Sequence, residues 1–288
     1  MFRLQEVRIV YQNEAREGTM QLTSAQSFRS RFMGGEFLFG TFLKTPTTHA
    51  TEILGSLGFD FVVVDEEHAP FSRETTDLIL LACRAAGVAG IVRVQGSEAP
   101  YILSVLDCGA AGVLVPHVDS AAKAKSVVEA CRYATGTRGF SNTTRAGIFG
   151  KRSINEHVAV QDDEITVIAM IEDPHAIGVV EEILAVDGID GVFIGRGDLT
   201  VAYRETAGNS PSVKAATDAI LAAAKAAGKP VCILAGSLDD AAQLAGKGAS
   251  AFILSSDQGL MRQAATKALE EFSRSVAGAR QGASVAPG

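Results

Sequence analysis

Acids, a base and a cation collect at three points where an apolar run of this chain stops. FVVVDEEHAP at residues 61–70 runs into Asp65, Glu66, Glu67 and His68. VIAMIED at 167–173 ends on Glu172 and Asp173, and GVFIGRGDL at 191–199 leads into Arg196 and Asp198. A buried strand cannot solvate charge along its length, so charged side chains gather where it leaves the core. When parallel strands do this at one end, carboxylates, an imidazole and a guanidinium converge. Such a set can hold a divalent cation, move a proton and meet developing negative charge.

Glu172 and Asp198 follow successive apolar runs, so their carboxylates can meet at one point. Two such groups repel unless a proton or a metal intervenes. Two oxygen ligands, with the other positions left to water and substrate, suit Mg²⁺; Mn²⁺ or Co²⁺ accept the same ligands. The competing reading is a structural salt bridge from one of them to Arg93 or Arg196. His68, alone among the histidines, lies in the dense acidic cluster and is a candidate general base; the alternative is a loop histidine that caps or packs. Arg93, within the apolar IVRV, must find an anion, either a core carboxylate or a substrate carboxylate or enolate in the pocket. Lys44 lies beyond its strand among Thr and Pro, which disfavours Schiff-base chemistry. His117 follows another run and receives no role, while His49, His157 and His175 read as surface or capping residues. Arg196-Gly197-Asp198 spells RGD, but it directly follows a buried strand; Gly197 there would let backbone amides approach a small anion.

The elements that must position these groups alternate regularly. Strands are expected at 37–43, 61–64, 90–94, 112–115, 166–171, 191–194, 230–234 and 251–254. Amphipathic stretches lie between them, with candidate caps at Thr47, Ser97, Ser120, Ser210, Ser237 and Ser256 and terminating glycines at Gly58, Gly87, Gly228 and Gly246. Eight β–α units close a (β/α)8 barrel, and the length is near the roughly 250 residues common for that fold. An open doubly wound sheet needs no fixed count and usually carries a glycine-rich loop after its first strand. Here Lys44-Thr45-Pro46-Thr47 stands in that place. The expected organisation is a polar N-terminal extension over 1–35, as a short arm or disordered, a single α/β barrel domain over 36–276 and a frayed tail over 277–288. A long insertion at 134–165 suggests a lid over the site or a subunit contact.

Bulk properties narrow the partners. Of 288 residues 47% are hydrophobic and 20% charged, which suits a soluble domain with an ample core. A net charge of -7 argues against nucleic acid or an acidic membrane surface. No run approaches the ~18 apolar residues of a membrane span. No secretory signal is evident, and Cys83, Cys108, Cys131 and Cys232 form no Cys-x-x-Cys pair, so a cytoplasmic protein with reduced cysteines is expected.

FVVVDEEHAP, the Arg93 strand, YILSVLDCGAAGVLVPHV, RYATGTRGF, VIAMIED and DGIDGVFIGRGDLT occur in an order that resembles the class II pyruvate aldolases. These are the HpcH/HpaI group, such as 4-hydroxy-2-oxoheptanedioate and 2-dehydro-3-deoxyglucarate aldolases, with relatives of the citrate lyase β subunit. The likeness covers about 36–276. It implies a barrel, a hexamer built as a trimer of dimers that exchange their C-terminal helix, and reversible cleavage of 4-hydroxy-2-oxo acids to pyruvate and an aldehyde through a metal-bound pyruvate enolate. Such enzymes serve aromatic-compound or sugar-acid catabolism. By this resemblance Glu172 and Asp198 hold the metal, His68 takes the C4 hydroxyl proton, Asp107 activates that histidine and Asp65 supports the same site. Arg93 would stabilise the enolate, and the backbone at Gly197 and Asp198 would contact the substrate carboxylate. Met170 stands where several relatives carry glutamine, removing one polar contact to substrate, and Arg196 where proline is frequent. Two rivals remain: the same enolate chemistry in oxaloacetate decarboxylation, citrate-type condensation or acyl-CoA lysis, and a non-catalytic barrel.

Overall fold

Eight short parallel strands hydrogen-bond in the order β1-β2-β3-β4-β5-β6-β7-β8 and close on themselves in the computed structural model, which describes residues 24–283. They are β1 Leu38–Leu43, β2 Phe61–Asp65, β3 Ala89–Arg93, β4 Gly112–Val115, β5 Thr166–Ile171, β6 Gly191–Ile194, β7 Val231–Leu234 and β8 Ala249–Ser256. The (β/α)8 expectation therefore holds. The helices are α1 Ser24–Met33, α2 Thr48–Ser56, α3 Arg73–Ala86, α4 Ala99–Asp107, α5 Ala121–Cys131, α6 Ile154–Glu164, α7 Pro174–Ile177, α8 Val180–Leu184, α9 Arg196–Ala202, α10 Pro211–Ala226, α11 Leu238–Gly246 and α12 Asp257–Ala283.

Strands β2 to β6 are buried on both faces, which is why they read as unbroken apolar runs, while β1, β7 and β8 each leave a residue exposed. Residues of one parity, including Val62, Val64, Val92 and Val113, pack under the helices. Those of the other parity, including Phe42, Phe61, Val63, Ile91, Ile168, Met170 and Phe193, fill the barrel. Side chains alternate strictly along a strand. Continuing the inward rows therefore brings Lys44 above Phe42, Asp65 above Val63, Arg93 above Ile91 and Glu172 above Met170. The barrel core and the charged floor are one register.

Ser72, Ser120 and Ser237 cap α3, α5 and α11 by accepting N–H bonds from Thr75, Lys123 and Asp240. Gly87 ends α3 in the left-handed region at φ 69°. Of the other expected caps, Ser97 lies outside α4, and Gly246 stays helical while Gly248 takes the positive φ.

Two segments depart from expectation. Residues 24–33 form α1, which closes the N-terminal end of the barrel; the rest of the 1–35 extension, up to residue 23, lies outside the described residues. Phe28 and Phe32 stack at 5.6 Å, Phe28 meets Phe61 at 5.3 Å, and Phe32 fills the space a side chain at Gly191 would occupy. Arg29 holds Asp190 at 2.7 Å and Arg31 holds Asp60 at 2.7 Å, fixing the plug to the strand starts. The 134–165 insertion leaves the C-terminal end of α5 and returns to the start of β5, both at the end of the barrel away from the strand C-termini. It is not a lid over its own barrel mouth. Arg145 bonds Asp77 on α3, Arg138 bonds Asp107 on α4, and α6 packs on α1. His157, expected at the surface, is buried there against Tyr133 and Phe140.

The last helix departs from the barrel. Helix α12 meets β1 and β8, whereas Met261, Leu269, Phe272 and Val276 along its length are exposed. Phe37, Phe39 and Leu254, on and beside those two strands, are exposed as well.

Candidate active site

Asp65 organises one half of the mouth. It is fully buried and is the register partner of Arg93 across β2 and β3. Arg93 donates through Nε to Oδ1 at 2.9 Å and through Nη2 to Oδ2 at 2.8 Å, a bidentate fork. Lys44 Nζ approaches Oδ2 at 3.0 Å, and the His68 backbone N–H donates to Oδ1 at 3.2 Å. Burial alone would raise the Asp65 carboxyl; the bonds and charge of Arg93, with Lys44 behind them, hold it below the usual carboxylate range. Arg93 also lies over the Phe42 ring at 4.8 Å.

Glu67 links the next three groups. Its Oε2 lies 3.3 Å from Arg93 Nη1 and 3.6 Å from His68 Nε2, and Oε1 lies 4.0 Å from His117 Nε2. That Oε2 is buried without a hydrogen-bond partner. The His68 ring is half exposed at the rim. His117 sits at φ 52° after Pro116, a left-handed conformation costly for a non-glycine residue. The turn aims its N–H at Glu172 Oε1, 2.8 Å away, and its Nδ1 at Asp173 Oδ2, 3.1 Å away. Burial opposes a charge on this imidazole, but the Asp173 bond and the negative charge of Glu172 raise its pKa.

Glu172 is buried and has Asp198 within hydrogen-bonding reach. Burial, together with that second carboxylate, pushes Glu172 up to about 8. Among the described residues neither acid is in a salt bridge to arginine. Arg93 is spent on Asp65; Arg196 donates to Asp240 Oδ1 at 3.0 Å and to the Leu234 carbonyl at 2.6 Å. A facing pair of carboxylates that holds a proton near neutrality is a donor set suited to a divalent cation, which would take that proton's place. Gly195 makes room for the pair: a Cβ there would lie 2.5 Å from Glu172 Cβ and 2.8 Å from its Oε2. Among the described residues no group of three or more His, Cys, Asp or Glu side chains forms a metal cage. The protein's share would thus be these two oxygens, as is common for Mg²⁺.

A cavity of about 1190 Å³ opens above this floor, lined in part by Arg93, Met170, Gly197 and Asp198. Met170 is buried and gives it an apolar base. Gly197 is not forced by packing, since a Cβ there would meet nothing within 4 Å.

A protein-family model described as HpcH/HpaI aldolase/citrate lyase matches residues 38–264. The chain belongs to that family. Its members are aldolases and lyases, so this barrel is an enzyme of the metal-dependent aldolase class and not a scaffold. It is 34% identical over 249 residues to a 5-keto-4-deoxy-D-glucarate aldolase of Enterobacter sp. (strain 638), covering 86% of this chain and 96% of that one. An HpcH/HpaI family protein from Burkholderia cenocepacia J2315 has a similar structure, with a TM-score of 0.82 and 30% identity over 86% of this chain and 99% of its own. The citrate synthase SbnG superposes with a TM-score of 0.76 and 28% identity over 90% and 99%.

Against the sequence expectations, His68, Arg93, Asp65, Glu172 and Asp198 all lie at the strand C-termini. Asp107 does not join them in this chain. It ends α4 in the helical layer, where Arg138 Nη2 reaches it at 3.4 Å, and no hydrogen bond or ion pair joins it to His68. Lys44, Glu67 and His117 enter the site without an expected role. The signal for them was present: each lies within two residues of a strand's C-terminal end.

Proposed function

We propose that the protein reversibly cleaves 4-hydroxy-2-oxo acids to pyruvate and an aldehyde, with Glu172 and Asp198 holding a divalent cation. The observation that supports this is the buried Glu172 carboxylate facing the exposed Asp198, both without an arginine partner among the described residues, while a bidentate Arg93–Asp65 fork stands beside them. Mg²⁺, Mn²⁺ or Co²⁺ held there supplies Lewis-acid polarisation of the 2-oxo group. The chain's own groups do the rest. His68 takes the C4 hydroxyl proton, the C3–C4 bond breaks, and its electron pair passes to the pyruvate unit as an enolate. Arg93, with two nitrogens fixed by Asp65, presents Nη1 to the charge that develops. Asp65 positions both groups, one through the guanidinium and one through the His68 backbone N–H. Backbone around Gly197 and Asp198 faces the cavity and would meet the substrate carboxylate, with Met170 as an apolar base.

A pyruvate-release assay coupled to lactate dehydrogenase, run over several 4-hydroxy-2-oxo acids with each metal, tests this. Metal-dependent pyruvate formation that is lost in Glu172→Ala supports it; full activity of that variant in EDTA refutes it. The likeness to citrate synthase SbnG favours a second reading, the same enolate chemistry on another electrophile. Pyruvate release from hydroxy-oxo acids, compared with turnover of oxaloacetate and acyl-CoA esters, separates the two. We also propose that the exposed apolar stripe of α12 packs on the uncovered β1–β8 flank of a second copy, giving an oligomer with exchanged C-terminal helices, taken as a hexamer (trimer of dimers). The domain is taken as 36–276, in a cytoplasmic enzyme.

A further inference from the structure

Of the two carboxylates that face each other in the mouth, only one is held by its surroundings. Glu172 is buried and accepts the His117 N–H on Oε1 at 2.8 Å. Asp198 is exposed, and among the described residues Glu172 is its one side-chain partner. Its position is therefore set by the backbone turn that carries it. That turn is fixed at its two ends. Gly195 donates to the Ile171 carbonyl at 3.0 Å and packs against Glu172; Leu199 is fully buried and donates to the Gly195 carbonyl at 3.1 Å. Between them Gly197 stands in open space, since a Cβ there would meet nothing within 4 Å, and glycine changes φ and ψ more readily than any other residue.

Arg196 is the remaining residue before Asp198, and its side chain is tied to the next β–α unit. Nη1 donates to Asp240 Oδ1 at 3.0 Å, Nη2 to Oδ2, and Nη2 also to the carbonyl of Leu234, the last residue of β7, at 2.6 Å. Asp240 stands in the first turn of α11, where it also accepts the Gly236 N–H at 2.8 Å while Ser237 Oγ accepts its own N–H at 3.1 Å. The Arg196 bonds outweigh burial and hold the Asp240 carboxyl below the usual carboxylate range. The two side chains are only 14% and 26% exposed, so this is a partly shielded bidentate fork and not a loose surface pair. Thr200 Oγ1 donates to the Arg196 carbonyl at 2.6 Å and closes the turn from the other side.

We propose that Arg196 and Asp240 form a strap that positions Asp198 for the divalent cation, holding the turn after β6 through side chains where its own backbone is free. Both are positioning residues and act on the cation through Asp198. This rests on the cation site of the proposed function and not on the reaction carried out above it. Two effects of these charges differ in sign. By Coulomb interaction alone, the arginine repels a nearby dication and the aspartate attracts it, so their removal acts in opposite directions. As a strap they act in the same direction, because losing either end frees the turn. Arg196 is the first residue of α9, where a backbone N–H has no intrahelical partner. Proline fits that place, and its ring holds φ near the helical value without any strap.

Calorimetric titration of the full chain with Mg²⁺ reads this without turnover. Arg196→Gln and Asp240→Asn should each weaken Mg²⁺ binding about tenfold, comparable to the cost of ordering one residue's backbone. The double variant should be no worse than the weaker single one, as for two ends of one strap. Arg196→Pro should bind within about threefold of the wild type, and adding Asp240→Asn to it should cause no further loss. Asp218→Asn, which breaks an exposed ion pair to Lys247 between α10 and the end of α11, should change nothing. Opposite signs in the two single variants, or a loss that proline does not restore, overturns the strap. So does a lowered urea midpoint with Mg²⁺ affinity untouched, which is what a merely stabilising pair would give. A wild type that takes up no divalent cation overturns the strap together with the site it serves. The expected Mg²⁺ pattern with no pyruvate released from any 4-hydroxy-2-oxo acid overturns the aldolase reading instead and leaves the strap standing.

Discussion

A divalent cation that binds between Glu172 and Asp198 must expel the proton the pair holds, and that proton can be counted. With Glu172 pushed up to about 8 by burial and by Asp198, the cation-free site carries about 0.9 of a proton at pH 7 and about 0.1 at pH 9, a tenfold change of ratio for each unit from the midpoint. Binding requires both carboxylates ionised. It is therefore weaker at pH 7 than at pH 9 by about 1.4 kcal/mol, or about tenfold in apparent affinity. Titration with Mg²⁺ or Mn²⁺ in two buffers of different ionisation enthalpy reads both quantities. Close to one proton should leave per ion at pH 7 and almost none at pH 9. The one neighbouring group that could imitate this is His117, whose pKa is raised despite burial by Asp173 and Glu172. In His117→Asn the release should persist. No release at pH 7, or release that disappears with the imidazole, would refute the facing-carboxylate arrangement.

Asp65→Asn leaves Arg93 and Lys44 against a buried neutral amide, and should cost about 3–5 kcal/mol in urea unfolding, as expected when one partner of a buried ion pair is removed. The wild-type Asp65 carboxyl is held low, so its contribution is complete at neutral pH and lost as pH falls through that lowered value; identical acid limbs for wild type and Asp65→Asn would contradict this. His68→Gln should lower kcat by about 10²–10⁴-fold with cation affinity unchanged, and an unaltered kcat would remove His68 as the base. Phe32→Ala should destabilise the barrel by about 3–5 kcal/mol without moving KM, because its ring plugs the end opposite the site; a large KM change would mean that the plug acts on the mouth. On the proposed assembly through α12, light scattering should give an oligomer for the wild type and a monomer for Leu269→Glu combined with Phe272→Glu; an assembly that survives both charges does not use this face of α12.

The barrel was legible because burial on both faces makes its strands continuous apolar runs, and eight of them alternating with helices allow few closures. The floor was legible because charges sit where those runs end. Partnership was not. Whether Arg93 takes Asp65 or Glu172 depends on strand order and register, and the Asp65↔Arg93 pairing comes from neighbours 28 residues apart in sequence. Arg196 reaches Asp240 across 44 residues, which no local pattern announces. Helix α1 was hidden by polar composition; Phe28 and Phe32, four residues apart, were the whole signal for its buried face. Asp107 matched a motif, yet a motif fixes position along the chain and not the face of the barrel to which a helix end belongs. The place of the 134–165 insertion could have been inferred from topology alone, because a segment between a returning helix and the next strand starts and finishes at the closed end.

Asp257 begins α12 directly after β8 ends, while gripping the amides of Lys44 and Thr45 on the far side of the barrel seam. The stitch makes the root of the departing helix and the lip beside strand one a single mechanical part. Whatever pulls on that helix is transmitted to the lysine at the entrance, without passing through the carboxylates below. A displacement of the helix root therefore moves the lip after strand one with it, before anything changes at the reaction centre.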